Sequence, residues 1–484
     1  MMADKPKQFD RNLIVIGGGS AGLVAALIAA AVNAKVTLIE KHKMGGDCLN
    51  TGCVPSKALI KSAKVASLIK RSREFGINVV DSSIDFSAVM ERVQSVISKI
   101  EPHDSVTRFE GLGVECIEGE ARITSPWSVE INGKILSTRS IIIATGARPF
   151  VPSIKGLEQL DYLTSDNLWD IRELPKRLIV LGGGPIGCEL AQAFTRLGSQ
   201  VTQVEMLPRI MMREDDEIAR IINKRFQDEG IDVRTNYTAQ EVVIKNNQKF
   251  LICEHNNNAV EIAFDEILVA VGRAANTSGF GLEGLGVELN SNKTIRVNEK
   301  LQTSIPNIYA CGDVAGPYQF THTASHQAWY ATVNALFGKF KSFKVDYSVI
   351  PWATFTDPEV ARVGLNEQEA KEKGISYDAT SYDIDDLDRA ITEGEDHGVV
   401  KVLTVPGKDK ILGVTIIGDH AGELITEYIS AMKHGFGMNK ILGTIHIYPT
   451  LSEANKFAAG AWKKAHAPKT LLKLVEKYHR WMRN

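Results

Sequence analysis

Two stretches of the 484-residue chain repeat one pattern of glycines, apolar runs and a closing acid. In each, a short β-branched run precedes GxGxxG, a helical run follows it, and a second apolar run ends in glutamate 23 residues after the first glycine. The two sets are Gly17, Gly19, Gly22 and Glu40, and Gly182, Gly184, Gly187 and Glu205. A GxGxxG alone is weak evidence, but this whole arrangement predicts a dinucleotide-binding Rossmann unit.

Each part of the pattern has a physical role in holding a dinucleotide. The glycines allow a tight turn and the approach of backbone N–H groups to a pyrophosphate, and the helix N-terminus adds a favourable dipole. The carboxylates of Glu40 and Glu205 can accept hydrogen bonds from ribose hydroxyls. We therefore expect two dinucleotides in one chain.

Glu205 also bears on which nicotinamide dinucleotide is used. A carboxylate repels a 2′-phosphate, and the next residues, Met206 and Leu207, supply no cation. NADH is therefore favoured over NADPH. Arg209 and Arg213 are close enough in sequence to keep NADPH as the alternative.

The 20 residues 13–32 carry no charge and have the length of a membrane span. With basic residues upstream, they also resemble a signal peptide. Four glycines in the middle argue against both interpretations, because LIVI reads as a buried strand and AGLVAALIAAAV as a helix. The segment is predicted to be strand, turn and helix.

Length and composition exclude several other classes of protein. About 150 residues per domain gives roughly three domains. The 56 basic and 58 acidic residues leave a net charge of -2, so no basic field favours nucleic acid. Six cysteines in 484 residues are too few for a disulfide-stapled secreted protein, and a cytoplasmic location is expected.

Cys48 and Cys53 are the only cysteines close together in sequence. A regular helix would hold Cα atoms five residues apart at ~8–9 Å, whereas a disulfide needs less than about 7 Å. Gly52 and Pro55 allow the distortion that a bridge requires. A helix N-terminus and Lys57 favour the Cys53 thiolate, which suits electron exchange with a flavin, and Cys48 would meet the substrate. No further Cys or His stands at ligand spacing, so no metal site is predicted.

The segment GGDCLNTGCVPSK resembles the redox-active disulfide signature of the class I pyridine nucleotide-disulfide oxidoreductases. These flavoproteins include dihydrolipoamide dehydrogenase, glutathione reductase and mercuric reductase. ATGARP at 144–149, VGR at 271–273 and IYACGD at 308–313 are similar to further family segments, so the resemblance covers essentially the whole chain.

The resemblance implies a division of labour among the site residues. The first Rossmann unit would hold FAD and the second the nicotinamide, with Lys57 near flavin N5 and Glu189 as the ion-pair partner of Lys57. Ala121 would contact the adenine through its backbone, and Asp313 would bind the ribityl chain. The further cofactor-binding positions are Gly46, Thr145, Gly146 and Gly272.

The fold class that follows is α/β, with two Rossmann-like domains and a C-terminal α+β dimerisation domain. The FAD domain is predicted at 1–150 and 276–345, and the NAD domain at 151–275. Residues 346–484 would form the interface domain of a homodimer.

One segment departs from the family pattern. Dithiol–disulfide reductases end in His-Pro-Thr-x-x-Glu, whose histidine, supplied by the partner subunit, shuttles a proton. Here Tyr448 stands at the histidine position, followed by Pro449, Thr450 and, at the acid position, Glu453. Tyrosine, with an unperturbed pKa near 10, is a poor base at neutral pH. His446 is the alternative base, although a structural role is favoured for it.

Mercuric reductases also lack this histidine, but they carry a metal-delivering cysteine pair near the C-terminus. This chain has no cysteine after Cys311, and no N-terminal metal-binding module is expected. The expected function is electron transfer from NADH through FAD and the Cys48–Cys53 disulfide to a metal ion, a quinone or an unusual disulfide. The alternatives are dihydrolipoamide dehydrogenase and a flavin-binding scaffold without catalysis.

The C-terminal tail is basic. Residues 461–484 carry seven Lys or Arg and one acid, a charge of +6, against -8 for the remaining residues. Apolar residues recur at helical spacing between Leu471 and Met482. A helix docked on its own subunit or on the dimer partner is favoured, and weak contact with an anionic membrane surface is the alternative.

Overall fold

The computed structural model describes residues 5–483, and their contacts group the chain into two units. The first unit comprises residues up to 73, 78–210 and 229–346. The second comprises 74–77, 211–228 and the residues from 347 onwards.

The elements are labelled in chain order. Up to residue 205 they are β1 (Arg11–Ile16), α1 (Ser20–Ala31), β2 (Val36–Glu40), α2 (Gly46–Asn50), α3 (Cys53–Lys70), α4 (Phe86–Ile100), α5 (Val106–Gly111), β3 (Glu115–Glu118), β4 (Arg122–Ser125), β5 (Ser128–Ile131), β6 (Lys134–Ile143), β7 (Ala147–Pro149), β8 (Arg177–Leu181), α6 (Pro185–Leu197) and β9 (Gln200–Glu205).

Between residues 206 and 346 they are α7 (Asp216–Asp228), β10 (Asp232–Thr235), β11 (Thr238–Lys245), β12 (Gln248–His255), β13 (Asn258–Phe264), β14 (Glu266–Val269), β15 (Arg273–Ala275), α8 (Leu282–Leu285), β16 (Ile308–Ala310) and α9 (Thr321–Phe337).

The remaining elements are β17 (Pro351–Thr354), β18 (Glu359–Gly364), α10 (Glu367–Glu372), β19 (Asp378–Asp383), α11 (Asp388–Glu393), β20 (Val399–Thr404), β21 (Ile411–Gly418), α12 (Ala421–Leu424), α13 (Thr426–Lys433), α14 (Met438–Leu442), α15 (Glu453–Ala465) and α16 (Lys469–Met482). Short 3-10 turns lie at Ser72–Phe75, Glu101–His103, Leu157–Gln159, Leu168–Asp170 and Ile384–Asp386.

In the first sheet, Gly17 and Glu40 lie at the carboxyl ends of the neighbouring parallel strands β1 and β2. Strands β3, β2, β1, β6 and β16 pair in parallel in that order. Strands β4 and β5 add an antiparallel extension through β6. The central strand β1 is buried at Leu13, Ile14, Val15 and Ile16, as expected for a parallel strand covered on both faces. The segment 13–32 is thus strand, turn and helix, as predicted.

The second glycine pattern repeats this arrangement. Strands β10, β9, β8 and β14 form a parallel sheet, and β11, β12 and β13 form a separate antiparallel sheet. Strands β7 and β15 pair as two antiparallel strands where the chain leaves and re-enters the first sheet region.

The second unit is built on an antiparallel sheet in the order β17, β18, β21, β20, β19. Its core joins inward residues of β18, β20 and β21 to apolar residues of α13 and α15, among them Val402, Ile416, Tyr428 and Trp462. The predicted α/β class, with two Rossmann-like sheets and a C-terminal α+β unit, is confirmed. The predicted domain boundaries stay a prediction.

Helix α7 is grouped with the second unit, although it lies within the predicted NAD domain at 151–275. Buried charges hold the segment before and at the start of this helix. Arg362 contacts Glu214 at 3.1 Å, and its guanidinium lies 4.1 Å from the centre of the Trp352 ring. Lys401 contacts Asp215 at 3.3 Å and Glu217 at 2.6 Å. Removing one partner of such buried pairs is costly, so they anchor the segment firmly.

Among residues 5–483 no helix combines the length and apolar character needed to cross a bilayer.

Candidate active site

The two glycine turns have the same close backbone packing. Gly17 and Gly182 have φ of +108° and +117°, a region that disfavours residues with a Cβ. A Cβ at Gly22 would overlap the Gly17 carbonyl oxygen, and a Cβ at Gly187 would overlap that of Gly182. These two glycines therefore let α1 and α6 begin directly against the turn.

Helices α1 and α6 begin with backbone N–H groups that no side chain of residues 5–483 caps. Such orphan donors at a helix N-terminus suit a pyrophosphate. Gly46, with φ of +59°, lies against Gly19, and a Cβ there would approach the Gly19 Cα at 2.7 Å. The residues present therefore fit a dinucleotide at each turn.

The two predicted ribose acids occupy equivalent places. The Glu40 carboxylate accepts from Gly18 N at 2.5 Å and from His42 N at 2.7 Å. The Glu205 carboxylate accepts from Gly183 N at 2.6 Å and from Leu207 N at 2.8 Å. Each acid therefore ties its strand to its glycine turn, and carboxylate oxygens have further lone pairs for a hydroxyl donor.

The redox cysteines lie on two consecutive helices with a break between them. Cys48 is in the five-residue helix α2, and Cys53 is the first residue of α3. At Gly52, which joins them, φ is -124° and ψ is -105°, far from helical values. The structure has both residues as thiols, and the two are hydrogen-bonded to each other. The backbone distortion that the sequence predicted for this pair is thus present.

The two thiols differ strongly in acidity. The hydrogen bond from Cys48 lowers the pKa of Cys53 to about 6, against burial, with help from Thr321 and the Lys57 ammonium. The same hydrogen bond, together with burial, raises the pKa of Cys48 well above its usual value. The pair in its reduced form therefore carries its negative charge on Cys53 and its proton on Cys48. The roles predicted for the two cysteines require this order.

Lys57 and Glu189 come together from helices 132 residues apart in sequence. The Lys57 Nζ lies 2.6 Å from the Glu189 carboxylate. The Glu189 side chain is only 8% exposed, whereas that of Lys57 is 35% exposed. A buried carboxylate is stabilised by such a partner and in turn fixes the position of the ammonium. The contact agrees with the ion pair that the family resemblance implies.

Thr145 and Gly146 lie where the first sheet ends. Thr145 Oγ1 donates to the Asn276 carbonyl oxygen at 2.7 Å, and Asn276 N donates to that of Gly146 at 3.0 Å. The Gly272 carbonyl oxygen accepts from Phe150 N at 2.9 Å. These bonds join the two crossing strands β7 and β15.

Asp313 is buried beside Arg273. Burial raises the pKa of Asp313 to about 6, and the guanidinium of Arg273, with its Nε at 3.5 Å, opposes that shift. Arg273 also pairs with Asp47, next to Cys48. The arginine directly after Gly272 was the available sequence signal for this bridge, and Arg273 was not among the predicted site residues.

Ala121 is 8% exposed and directly precedes β4. Gly119 N donates to the Glu40 carbonyl oxygen at 2.9 Å, which brings this segment to the end of β2. The segment that contains the predicted adenine contact is therefore hydrogen-bonded to the residue predicted as the ribose acid.

In the second unit, Tyr448 is 67% exposed and its hydroxyl donates to the Asp388 carboxylate at 2.9 Å. This hydrogen bond raises the pKa of Tyr448 above its ordinary value of 10. Tyr448 is therefore even less able to act as a base at neutral pH than free tyrosine.

His446 has a different environment from Tyr448. Its side chain is 5% exposed, its Nε2 lies 3.1 Å from both Glu427 carboxylate oxygens, and its Nδ1 lies 3.0 Å from the Thr444 carbonyl oxygen. Both ring nitrogens thus have partners inside the unit, which agrees with the structural role favoured for His446. Glu427 had no sequence signal, because it lies 19 residues away outside any motif.

Glu453 is 5% exposed at the start of α15. Its carboxylate accepts from Thr450 N at 3.4 Å. It therefore holds the turn that carries Tyr448.

Comparison with known proteins gives consistent results along the chain. Residues 11–328 match the family model described as pyridine nucleotide-disulphide oxidoreductase, and residues 350–459 match the dimerisation domain of the same family. A mercuric reductase of Lysinibacillus sphaericus is 36% identical over 94% of this chain and 83% of that protein. A dihydrolipoyl dehydrogenase of Chlamydia pneumoniae is 36% identical over 96% of this chain and 98% of that protein.

Among solved structures, the Cu(II) complex of the HOCl-induced flavoprotein disulfide reductase RclA from Escherichia coli has a TM-score of 0.83 with 28% identity. The match covers 92% of this chain and 99% of the RclA chain. The family uses FAD and NAD(P)H, which the two glycine turns fit. This chain belongs to the pyridine nucleotide-disulphide oxidoreductases, the flavoprotein disulfide reductases that act on sulfur groups or metal ions.

Proposed function

We propose that the protein is an NADH-dependent reductase that passes electrons through the Cys48–Cys53 pair to a metal ion. The observation that carries this proposal is Tyr448, which stands at the position of the family's proton-transferring histidine and is bonded to Asp388. A reductase that lacks the base suits an acceptor that needs no proton.

The proton balance of the two reactions explains this choice. Reduction of a disulfide, NADH + H+ + RSSR → NAD+ + 2 RSH, requires a proton for the leaving thiolate. Reduction of a metal ion, NADH + Hg(II) → NAD+ + H+ + Hg(0), releases a proton, as does NADH + 2 Cu(II) → NAD+ + H+ + 2 Cu(I). Neither metal reaction needs a base that returns a proton to a leaving sulfur.

The chain's own residues prepare the redox site. Glu205 would orient the ribose of the nicotinamide dinucleotide, and the neighbouring Met206 and Leu207 are exposed without offering a cation, which supports NADH over NADPH. When bound, FAD takes a hydride equivalent from NADH and passes two electrons to the disulfide. Lys57, held by Glu189, supplies a fixed positive charge beside the thiol pair.

The relatives support both a metal ion and a disulfide as acceptor. A mercuric reductase and a dihydrolipoyl dehydrogenase are equally identical to this chain, and the RclA neighbour was solved with Cu(II). Dihydrolipoamide is therefore the second candidate substrate. It would need His446 or Tyr448 as the base.

Steady-state NADH oxidation distinguishes the acceptors. We expect turnover with Hg(II) or Cu(II), and turnover with lipoamide or glutathione disulfide about 100-fold slower, since a general base contributes at least roughly that factor. The same assay includes a quinone as the third kind of acceptor. Cys48→Ser should lose the metal-dependent turnover, whereas Cys116→Ser, on strand β3, should retain it. Faster turnover with lipoamide than with any metal ion would reverse the proposal.

The match to the family dimerisation domain supports a homodimer. The segment around Tyr448 is consistent with that state, because Ile445 and Ile447 are 96% and 76% exposed in the single chain. Adjacent apolar side chains exposed to this degree are typical of an interface. In a homodimer they would be covered by the second copy.

We also infer that α16 lies on an anionic membrane surface. None of its described residues is buried, so the predicted docking on its own subunit is not present in the second unit. Leu471, Leu474, Tyr478, Trp481 and Met482 share one face, and Lys469, Lys473, Lys477 and Arg480 share the opposite one. A membrane surface engages both faces of such a helix.

Vesicle sedimentation tests the α16 surface. We expect binding of the full-length protein to phosphatidylserine-containing vesicles, weakened by salt, since each basic residue near such a surface contributes about 1 kcal/mol. Leu474→Glu should lower this binding, whereas Thr470→Ala, at the border between the two faces, should leave it unchanged. Equal and negligible binding of the full-length and tail-deleted proteins would contradict the proposed membrane contact of α16. If deletion of the tail converts the dimer to a monomer and leaves vesicle binding unchanged, the helix instead docks on the second copy.

A further inference from the structure

A cavity of about 360 Å³ lies in the first unit, at the amino end of its parallel sheet. It is bounded by the start of the paired part of β6, by the residues leading into β16 and by the last turn of α9. The glycine turn lies at the other end of the sheet, where Gly17 packs on the Ala144 carbonyl group. The four residues along β6 from Ser140 to Ala144 span about 13 Å. The cavity is therefore separate from the dinucleotide turn.

The charged side chains of the cavity wall are all positive. They are Lys5, Arg139, Lys300 and Lys339, and the lining residues include no aspartate or glutamate. The side chains of Arg139, Lys300 and Lys339 make no hydrogen bond or ion pair with any of residues 5–483. Like charges around one cavity repel one another, and a bound anion removes that repulsion. The cavity therefore favours an anionic ligand.

No hydrogen bond joins these cations to the end of α9, although a helix C-terminus attracts positive charge. The carbonyl oxygens of its last turn accept from other donors. That of Asn334 accepts from Gly338 N at 2.9 Å and from the Tyr309 hydroxyl at 3.1 Å. That of Ala335 accepts from Ser140 Oγ at 3.3 Å. The cationic groups thus keep their hydrogen-bond donors for a ligand.

Part of the cavity wall is aromatic. The rings of Phe9 and Trp127 both line it, with their centres 5.8 Å apart and their planes tilted by 45°. Lys5 Nζ lies 5.4 Å from the centre of the Trp127 ring. Flat bases stack on such side chains in nucleic-acid sites. The volume lies within the range of roughly 300–1,000 Å³ that is usual for small-molecule sites, so it admits a ring as well as a phosphate group.

We propose that this cavity binds a mononucleotide, whose phosphate group is held by Arg139, Lys300 and Lys339 and whose base lies against Trp127. A mononucleotide combines the negative charge and the flat ring that the two parts of the wall select. The inference goes beyond the redox function and does not rest on it, because the cavity and the glycine turn lie at opposite ends of the first sheet.

Isothermal titration calorimetry of the holoenzyme tests the proposal. The protein carries FAD and is saturated with NAD+, so that both glycine turns are occupied, and adenosine or uridine monophosphate is added. We expect one mononucleotide to bind per chain, more weakly as salt screens the charges. Arg139→Ala and Lys300→Ala should each weaken binding about tenfold or more, because each removes a charge-assisted hydrogen bond. NADH oxidation should persist in both variants.

The matched control is Lys134→Ala, which removes an exposed lysine of the same strand outside the cavity and should bind as wild type does. Trp127→Leu should weaken mononucleotide binding and leave the weaker binding of inorganic phosphate unchanged. If neither mononucleotide binds the wild-type protein, or if both Arg139→Ala and Lys300→Ala bind them with wild-type affinity, the proposal is wrong. Inorganic phosphate that binds as tightly as the mononucleotides would also overturn it, since the base would then contribute nothing.

Discussion

Replacement of Cys53 by serine is expected to lower NADH-dependent reduction of every acceptor by roughly 1,000-fold or more, the scale seen when a group of the chemical step is lost. A serine hydroxyl forms no disulfide and stays protonated at neutral pH. The Cys48 thiol that remains has its pKa raised by burial, so it cannot replace the Cys53 thiolate. Reduction of the flavin by NADH should persist, because Glu205 and the second glycine turn are unchanged.

Anaerobic titration with NADH measures this effect directly. The wild-type protein should develop the long-wavelength thiolate–flavin band, and the Cys53→Ser variant should not. Cys48→Ser should keep the band, because Cys53 is present, but lose acceptor reduction. Cys116→Ser, which changes a half-buried cysteine of β3, is the matched control and should behave as wild type. A band that survives Cys53→Ser would place the flavin-side thiol elsewhere.

Tyr448→His is expected to raise lipoamide turnover about 100-fold or more, because a positioned general base contributes roughly 10²–10⁴-fold. The tyrosine hydroxyl is bonded to Asp388, which raises its pKa further from neutrality. An imidazole at this position titrates near pH 6.5. The gained activity should therefore rise as the pH increases through about 6.5, where the neutral base forms.

Two further variants identify the base if the wild-type protein already reduces lipoamide well. Tyr448→Phe removes the hydroxyl and His446→Ala removes the buried imidazole. Activity that survives Tyr448→Phe and is lost in His446→Ala, in protein that remains folded, would establish dihydrolipoamide dehydrogenase chemistry with His446 as the base. No gain in Tyr448→His would mean that the tyrosine is not what limits the proton transfer.

Local patterns predicted the cofactor-binding half of the site well. Glycine turns followed by helices are dictated by backbone geometry over a few residues, so Gly17 and Gly182 could be read directly from the sequence. Glu40 and Glu205, at the ends of β2 and β9, are hydrogen-bonded to these turns. Their positions could be predicted too, because each acid follows its first glycine by only 23 residues. The cysteine segment was equally informative, because Gly52 lies at the break between α2 and α3 and Pro55 lies in the first turn of α3.

Other features could not be predicted because they depend on which surfaces meet in space. His446 and Tyr448 are two residues apart, yet one side chain is buried against Glu427 and the other is exposed beside Asp388. The grouping of α7 with the second unit follows from ion pairs of Arg362 and Lys401 that span about 150 residues or more of sequence. No short-range signal encodes such contacts.

The sequence by itself determined two dinucleotide turns, a redox cysteine pair and a missing histidine, because each is a property of a few consecutive residues. Only the tertiary structure decided which distant group contacts the Cys53 sulfur, whose thiolate the helix N-terminus and Lys57 already favoured in the sequence. The acidity of a thiol depends on donors and burial, and here the donors are Cys48 in the preceding helix and Thr321, from a helix that begins 268 residues later.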